Sequence, residues 1–406
     1  MLFLLAFIFL VDLYVFQAVR LVSSDLSTTS RRWIFIAYWG LTVITLTSVF
    51  AYNFWGIQLR SLRTVILVGT FMNVFSKVFA SLFIMVDDFV RLGQWATQFF
   101  QSKEAQQVTE QGISRSEFLS KTALIAGAVP LAVFGFGIVS GAHNYQIRRI
   151  RIALPNLPRA FDGIRIGQLS DIHSGSFFNK KAVLGGVEMF LAEKPDVIFF
   201  TGDLVNNESS EVKDYIGIFE KLNAPLGVFS ILGNHDYGDY KSWDSPSAKR
   251  KNLDDLKQSQ KQMGWDLLLN ENRTINVDGD QIALIGVENW GARGFTKYGN
   301  LAQAFRGAEG DAKLLLSHDP SHWDAQVRPE FPDIDVTFSG HTHGFQFGVE
   351  IGNFKWSPSQ YFYDQWAGLY SEGSQHIYVN RGFGFIGYPG RVGIAPELTM
   401  IELVRG

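Results

Sequence analysis

The stretch VIFFTGDLVN, residues 197–206, joins an apolar run to a sudden change into glycine, aspartate and asparagine. Valine, isoleucine and phenylalanine in succession favour a buried β-strand, and Gly202 lets the backbone turn sharply where that strand ends. Asp203 therefore follows the carboxyl end of a predicted strand, where ligand-binding residues collect in α/β sheets. The stretch predicts an α/β fold with Asp203 in its functional site.

Four further stretches repeat this pattern of an apolar run followed by possible metal ligands. They are residues 164–173 (IRIGQLSDIH), 228–236 (VFSILGNHD), 313–319 (KLLLSHD) and 336–344 (VTFSGHTHG). One such histidine is more often structural, but five of the chain's eight histidines fall in these motifs. Carboxylate, imidazole and amide groups are the ligands that two neighbouring divalent cations need. We expect a two-metal centre in which one carboxylate bridges, each of its oxygens facing one cation.

The C-terminal part of the chain alternates short strand-like and helix-like segments. Strands are predicted at 164–169, 197–201, 228–232, 283–287, 313–317, 336–339, 376–379 and 398–403, and helices at 181–193, 212–222 and 249–263. This alternation is typical of a sheet covered by helices.

The N-terminal part is much more apolar, with candidate membrane spans at 1–19, 33–55, 64–86 and 122–140. Each approaches the roughly 20 residues that cross a bilayer. A single run of this kind could be a buried helix or a signal peptide, but four in succession favour membrane helices. The predicted domains are a transmembrane region, 1–145, and an α/β domain, 146–406.

Lysine and arginine in the loops between spans predict the orientation, because they are retained on the cytoplasmic side. The first and third loops contain more lysine and arginine than the second. The first loop holds Arg20, Arg31 and Arg32, and the second holds Arg60 and Arg63. The third holds Arg91, Lys103, Arg115 and Lys121. Both termini and the α/β domain are therefore predicted to be extracytoplasmic.

Two charged residues, Asp12 and Lys77, lie inside predicted spans at matching depths. Charges buried in a membrane usually pair, so we expect a contact between the first and third spans. The alternative is that Lys77 extends alone towards the interface.

The composition argues against nucleic-acid binding and excludes cysteine chemistry. The formal net charge of −3 gives no basic excess for nucleic-acid binding, so no nucleic-acid partner is expected. The chain has no cysteine, which rules out a thiolate metal site or a cysteine nucleophile.

The five motifs resemble those of the calcineurin-like metallophosphoesterases, over roughly residue 159 to the end. The resemblance implies a four-layer α/β/β/α sandwich and two divalent metal ions (Mn, Fe or Zn). It implies one ion bound by Asp171, His173, Asp203 and His343, and the other by Asp203, Asn234, His318 and His341. His235 would act beside the scissile phosphate as a general acid or as a transition-state stabiliser, while a hydroxide shared by the metals attacks phosphorus.

The tail, residues 381–398, is similar to that of a membrane-anchored bacterial branch of the family. Some members of this branch resemble pyrophosphohydrolases that cleave UDP-2,3-diacylglucosamine. The resemblance therefore implies a phosphodiester or pyrophosphate substrate, with a lipid-linked molecule as one candidate. A phosphomonoesterase, a protein phosphatase and a weakly active metal-binding sensory module stay open as alternatives.

Asn206 and Phe345 depart from the family pattern. Many members have an acid at the position of Asn206 that orients the catalytic histidine, and an amide would stabilise an imidazolium less. Asp236 is the candidate to compensate. Phe345 stands where the branch often has glycine, so its ring is expected to narrow or line the substrate entrance.

Two arginines and a group of aromatic residues complete the candidate substrate contacts. Arg381 and Arg391 could clamp a phosphate bidentately, or could instead form structural salt bridges. An aromatic-rich insertion could hold a lipid near the bilayer or fill a second small core; its residues are Phe345, Phe347, Trp356, Tyr361, Phe362, Tyr363 and Trp366.

Overall fold

A computed structural model describes residues 2–54, 60–98, 115–352 and 354–406 of the chain. The chain divides into two compact units, Met1–Phe136 and Gly137–Gly406. This division precedes the predicted boundary after Tyr145, because the last residues of the fourth helix belong to the second unit. There the carbonyl oxygen of Gly137 accepts a hydrogen bond from the Arg391 amide at 3.2 Å.

The first unit is built from long apolar helices, α1 (Leu2–Val22), α2 (Thr28–Phe54), α3 (Arg60–Gln98) and α4 (Arg115–Val139). Four candidate spans in these helices are long and apolar enough to cross a membrane. The chain is therefore a multi-pass membrane protein, as the hydropathy predicts. α3 continues well beyond the predicted end of its span, and the predicted end of the second span at Trp55 lies outside the described residues.

The predicted contact between Asp12 and Lys77 is present. The Lys77 ammonium lies 2.5 Å from Asp12 Oδ1, and both side chains are buried between α1 and α3. The Tyr38 hydroxyl donates to the Asp12 carbonyl oxygen at 2.8 Å, and the Lys77 ammonium lies 4.6 Å from the centroid of the Tyr38 ring. Both charges are thus neutralised within the helical unit rather than extended to the interface.

The second unit contains two six-stranded mixed sheets. In the first, the spatial order is β1 (Gln146–Leu154), β14 (Glu397–Arg405), β2 (Arg165–Leu169), β3 (Val197–Phe200), β4 (Val228–Ser230) and β5 (Asp266–Leu267). In the second it is β12 (Gly368–Glu372), β13 (Gln375–Val379), β9 (Val336–Ser339), β8 (Ala312–Leu316), β7 (Asp280–Gly286) and β6 (Glu271–Val277). A separate hairpin pairs β10 (Val349–Ile351) with β11 (Phe354–Trp356).

Five helices accompany the sheets: α5 (Lys180–Ala192), α6 (Ile216–Phe219), α7 (Pro246–Gln262), α8 (Leu301–Phe305) and α9 (Arg328–Glu330). Asn179 and Ser245 cap α5 and α7, each accepting a hydrogen bond from a first-turn amide at 3.1 Å.

Three buried apolar clusters define the layers. The first packs α5 and α7 against one sheet, the second joins the two sheets, and the third packs α8 and the turn at Trp323–Val327 against the other sheet. Phe199 and Phe338 meet between the sheets, with ring centroids 5.1 Å apart. The predicted four-layer α/β/β/α sandwich is therefore confirmed.

Some local predictions differ from the structure. The helix predicted at 212–222 is reduced to 3₁₀ turns and the four-residue α6, which contains the weak helix former Gly217. β1 was not predicted, because arginines 148, 149 and 151 break its apolar pattern; it lies at a sheet edge, parallel to β14.

Candidate metal centre

The predicted ligands meet where strands of both sheets end. Asp171, Asp203 and Asn234 follow β2, β3 and β4 of the first sheet, whereas His318 and His341 follow β8 and β9 of the second. The loops turn sharply after the strands: Gly202 has φ of 96°, and a Cβ there would lie 2.6 Å from the Gly233 nitrogen. A side chain at that position would therefore separate two of the ligand loops.

Five candidate ligands adopt left-handed backbone conformations, which non-glycine residues rarely occupy. They are Asp171 (φ 53°), His173 (47°), Asp203 (61°), His341 (70°) and His343 (50°). Such conformations cost on the order of 1 kcal/mol or more each, and strain of this kind concentrates at functional sites. The backbone strain therefore indicates that these loops form a functional site.

Asp171, His173 and His343 form one buried group whose ligand atoms all lie within 4.8 Å of one another. The His343 Nε2 atom is 3.2 Å from Asp171 Oδ1 and 3.0 Å from His173 Nε2. This is the ligand set predicted for the first cation, apart from the bridging residue.

A second group contains Asp203, His318 and His341, whose ligand atoms also lie within 4.8 Å of one another. Asn234 completes it, because its Oδ1 atom lies 3.1 Å from His318 Nε2 and 2.8 Å from His341 Nδ1. The amide nitrogen of Asn234 donates to the Tyr240 hydroxyl at 2.9 Å, which turns Oδ1 towards the histidines.

Asp203 lies between the two groups, and a single oxygen faces both. Its Oδ2 atom is 3.5 Å from His173 Nε2 and 3.2 Å from His318 Nε2. The other oxygen, Oδ1, accepts the backbone N–H of His235 at 2.8 Å. The structure thus turns one oxygen, Oδ2, towards both groups, whereas the sequence-based expectation had each oxygen facing a different cation.

The orientation of the imidazoles shows that a cation fits here. The Nδ1 atoms of His173 and His318 donate to the Asn206 side-chain oxygen (3.1 Å) and the Thr201 carbonyl (2.7 Å). In their neutral forms, both rings therefore direct an Nε2 lone pair towards the Asp203 carboxylate. Lone pairs that converge without a donor repel one another unless a proton or a metal ion lies between them.

The pKa values of the site also indicate that a positive charge belongs between these side chains. Burial alone would lower the pKa of His318, but the Asp203 carboxylate outweighs burial and raises that pKa to about 10. Burial alone would raise the pKa of Asp203, but His318 and His235 hold it well below its usual range. Asp203 therefore stays ionised, and its negative charge attracts a positive one, either a proton on His318 or a metal cation.

Asp236 ties the loops after β3 and β4 together. It accepts the backbone N–H groups of Asp203 (2.9 Å), Leu204 (2.8 Å), Val205 (3.2 Å) and Gly233 (2.9 Å). Burial and the Asp203 charge raise its pKa, to about 7, against the lowering effect of these donors. Asp236 is thus a structural anchor for the two loops and does not orient His235, contrary to its predicted compensating role.

The Asn206 side chain also has a different partner from the one predicted. Its Oδ1 accepts from His173, whereas the Nδ1 atom of His235 lies 2.8 Å from the Asn206 backbone oxygen. The main chain, not the side chain, therefore orients His235. Sequence reasoning missed this because a carbonyl oxygen is present at every position.

Arg381 and Arg391 are buried inside the scaffold rather than open to a substrate. Arg381 Nη1 lies 2.5 Å from Glu397, and Nη2 lies 2.7 Å from Glu350. Arg391 donates to the Gly384 and Gly382 carbonyl oxygens, each at 3.0 Å. Arg381 thus joins β10 to β14 through its two glutamates, and Arg391 holds the Gly382–Gly384 segment beside His343, with Nη2 3.2 Å from His343 Nδ1. Of the two alternatives, these contacts favour a structural role over a phosphate clamp.

A cavity of about 720 Å³ opens beside the ligand histidines, with His341 and His343 in its wall. Phe345 lines it and is 42% exposed, so the predicted position of this ring at the entrance agrees with the structure. Arg293 also lines the cavity, and its guanidinium carbon lies 5.4 Å from the centroid of the Tyr363 ring. Arg293 was not predicted, because it stands in a loop outside every sequence motif.

Comparison with known families agrees with the fold and the geometry. Residues 1–142 match the family described as a probable calcineurin-like phosphoesterase transmembrane domain, and residues 164–345 match the calcineurin-like phosphoesterases. The chain belongs to the calcineurin-like metallophosphoesterase family and is a membrane-anchored member of it. The family consists of metal-dependent hydrolases of phosphate esters.

Individual metallophosphoesterases are similar to the chain. The chain is 30% identical to the uncharacterized metallophosphoesterase YkuE of Bacillus subtilis, covering 72% of this chain and 98% of YkuE. It is 30% identical to a transmembrane protein with metallophosphoesterase domain from Danio rerio, covering 77% and 68% respectively. It is 28% identical to phosphodiesterase YaeI of Escherichia coli, covering 72% and 100%.

Proposed function

We propose that the chain hydrolyses a phosphodiester or pyrophosphate bond with two divalent cations. The observation that carries this proposal is the position of Asp203 Oδ2 between the two histidine groups. The similarity to phosphodiesterase YaeI favours a diester over a monoester substrate. The catalytic domain is taken as residues 146–406.

The donor set suits manganese, iron or zinc, because it combines imidazoles with carboxylates and an amide oxygen. One ion would be held by Asp171, His173, Asp203 and His343, and the other by Asp203, Asn234, His318 and His341. When bound, the ions would activate a water molecule and offset charge on the phosphoryl oxygens.

His235 would protonate the leaving alkoxide. Its Nδ1–H donates to the Asn206 carbonyl oxygen, which leaves Nε2 to carry the transferable proton. The ring stands beside the site, with its centroid 5.0 Å from that of His173. The partly exposed position of His235 lets the proton be replaced from solvent after each turnover.

The cavity suggests a substrate with both a phosphate and an apolar group, such as a lipid-linked phosphodiester. Phe295, Phe345, Phe362 and Ile386 line it together with the cation Arg293. Arg293 would contact a phosphate oxygen, whereas the rings would contact the apolar part.

The loop charges favour an extracytoplasmic catalytic domain. Protease added outside intact cells should then cleave the catalytic domain, and cleavage only after cell lysis would contradict this orientation.

The function is tested with the full chain in detergent, loaded with Mn²⁺, on bis-p-nitrophenyl phosphate, p-nitrophenyl phosphate and phosphopeptides. We expect turnover of the diester, and Asp203→Asn should lose both bound metal and turnover. Asp25→Asn, an exposed carboxylate outside the centre, is the matched control.

Four outcomes would overturn parts of the proposal. Turnover of phosphopeptides alone would identify a protein phosphatase, and turnover of the monoester alone a phosphomonoesterase. Two bound metals without any turnover would indicate a sensory module. Full metal content in Asp203→Asn would refute the bridging role.

A further inference from the structure

The β10–β11 hairpin has its polar and apolar faces reversed relative to an ordinary surface hairpin. Val349 pairs with Trp356 and Ile351 with Phe354, so these four side chains share one face. On that face, Ile351 is 73% exposed and Phe354 is 61% exposed. An antiparallel pair packed on a protein normally turns such residues inward.

The intervening polar pair, Glu350 and Lys355, faces the protein instead. Glu350 binds Arg381 at 2.7 Å and also contacts Arg148. The Lys355 ammonium donates to the Ala367 carbonyl oxygen at 2.5 Å. The outward direction of the apolar face is therefore fixed by ionic and polar contacts on the other side.

Exposed apolar residues continue from the hairpin to the cavity. We call this set the apolar rim; its members are Phe345, Phe347, Val349, Ile351, Phe354, Tyr361 and Phe362. The Phe345 and Phe362 rings are 5.3 Å apart, and both rings also line the cavity that holds His341 and His343. The rim thus surrounds part of the cavity mouth.

The rim is also joined to the point where the fourth membrane helix ends. Phe347 forms a β-bridge with Val392, and the neighbouring Arg391 amide donates to Gly137 of α4 at 3.2 Å. Gly137 lies two residues before the end of α4 at Val139, and all of these residues belong to the second unit. A surface beside the end of a membrane helix is within reach of the bilayer interface.

We propose that the apolar rim inserts into the bilayer interface and opens the cavity towards the membrane. Exposed aromatic and aliphatic side chains bind at this interface because burial among lipid headgroups and acyl chains removes them from water. Substrates would then be phosphate esters that stay in the membrane through their apolar part. This substrate class rests on the proposed function, whereas the insertion of the rim into the bilayer does not.

Insertion is tested with the full chain in nanodiscs of phosphatidylglycerol and phosphatidylcholine. The chain has no cysteine, so single cysteines can be placed and labelled with a fluorophore at Ile351→Cys and Phe354→Cys. Met189→Cys on α5 is a matched control, because Met189 is also an exposed apolar residue, at 41%. Lipids carrying a doxyl quencher should quench the two rim labels severalfold more than the control label.

Equal quenching at all three sites would overturn the proposal. Cross-linking of rim cysteines between two chains, with no lipid quenching, would instead assign the rim to a second copy. If the rim labels were buried in detergent extracts only when another protein co-purified, the rim would be assigned to a protein partner.

The consequence for substrate is measured separately. Ile351→Ser and Phe354→Ser should keep turnover of soluble bis-p-nitrophenyl phosphate and lose severalfold turnover of a fluorescent phospholipid diester in nanodiscs. Equal loss on both substrates would refute the role of the rim. Absence of diester turnover in the unmodified chain would refute the proposed function, while the quenching result would still decide insertion.

Discussion

The Nδ1 atom of His235 lies 2.8 Å from the backbone oxygen of Asn206. A side chain at position 206 therefore does not determine how the His235 ring is held. The neighbouring contact from Asn206 Oδ1 to His173 Nδ1 serves a candidate metal ligand instead. One residue thus supports the proposed acid through its main chain and the proposed metal site through its side chain.

His235→Ala should keep both metals and lose about 10²- to 10⁴-fold in kcat, the usual contribution of a general acid. Metal content should persist because the backbone N–H that binds Asp203 Oδ1 is unchanged. Metal analysis and turnover of bis-p-nitrophenyl phosphate measure the two effects. Unchanged turnover would refute the acid role.

Asn206→Ala should weaken metal binding about 10- to 100-fold, because His173 loses the acceptor that orients it. Asn206→Asp keeps an acceptor and is the matched control, so it should bind metal as the unmodified chain does. Competition with a chelator gives both affinities. If Asn206→Ala lost only kcat, the side chain would act on His235 after all.

Arg293→Ala should raise KM for the diester about tenfold, because a charged contact to phosphate is lost. Metal content and kcat should change little. Lys297→Ala is the control, since Lys297 stands in the same loop over the Trp290 ring. Equal effects of the two variants would indicate a general loss of charge rather than a phosphate contact.

Asp12→Lys or Lys77→Asp should each lower the yield of folded protein, because an unpaired charge within a membrane helix costs about 3 kcal/mol. The double reversal should recover much of that yield, since the pair at 2.5 Å is restored with opposite polarity. Size-exclusion chromatography in detergent measures the folded fraction. A double variant no better than either single one would refute the pairing.

His322 should make the catalytic domain less stable in acid. Burial lowers its pKa to about 4, whereas an unfolded histidine titrates near 6.5, so the unfolded state binds more protons between these values. Stability is therefore present above about pH 6.5 and is lost as the pH falls towards 4, by at most about 3 kcal/mol. Thermal unfolding with EDTA present, so that metal loss does not contribute, should be less acid-sensitive in His322→Gln.

An acid sensitivity that is unchanged in His322→Gln would assign the effect to other groups. The substitution is conservative because glutamine can still bond Ser317 and Gln326, the present partners of the imidazole at 2.8 and 3.0 Å.

The strand-end motifs could be predicted because an apolar run and a following ligand are adjacent in sequence. The partners of those ligands could not, since they depend on side-chain direction: Asp236 and Asn206 each have a partner other than the expected one. Arg381 and Arg391 show the same limit, because an arginine that clamps phosphate and one that binds Glu397 have the same sequence signature.

The aromatic insertion shows a further limit. Tyr363 and Trp366 are buried in a small core with Ala367 and Ile394, while Tyr361 is 70% exposed. The insertion therefore contains residues that fill a small core and other residues that stay exposed, so each of the two interpretations fits part of it. Alternation in a three-residue strand such as β10 is too short to reveal which face is buried.

The ligands come from two sheets, and the core between the sheets contributes to the distance between them. Asp203 follows β3 in one sheet, His318 follows β8 in the other, and Phe199 packs against Phe338 across the gap. That core therefore works as a spacer as well as a source of stability. Small changes of side-chain volume within it would shift one half of the candidate metal site against the other, although the residues of this core are not themselves ligands.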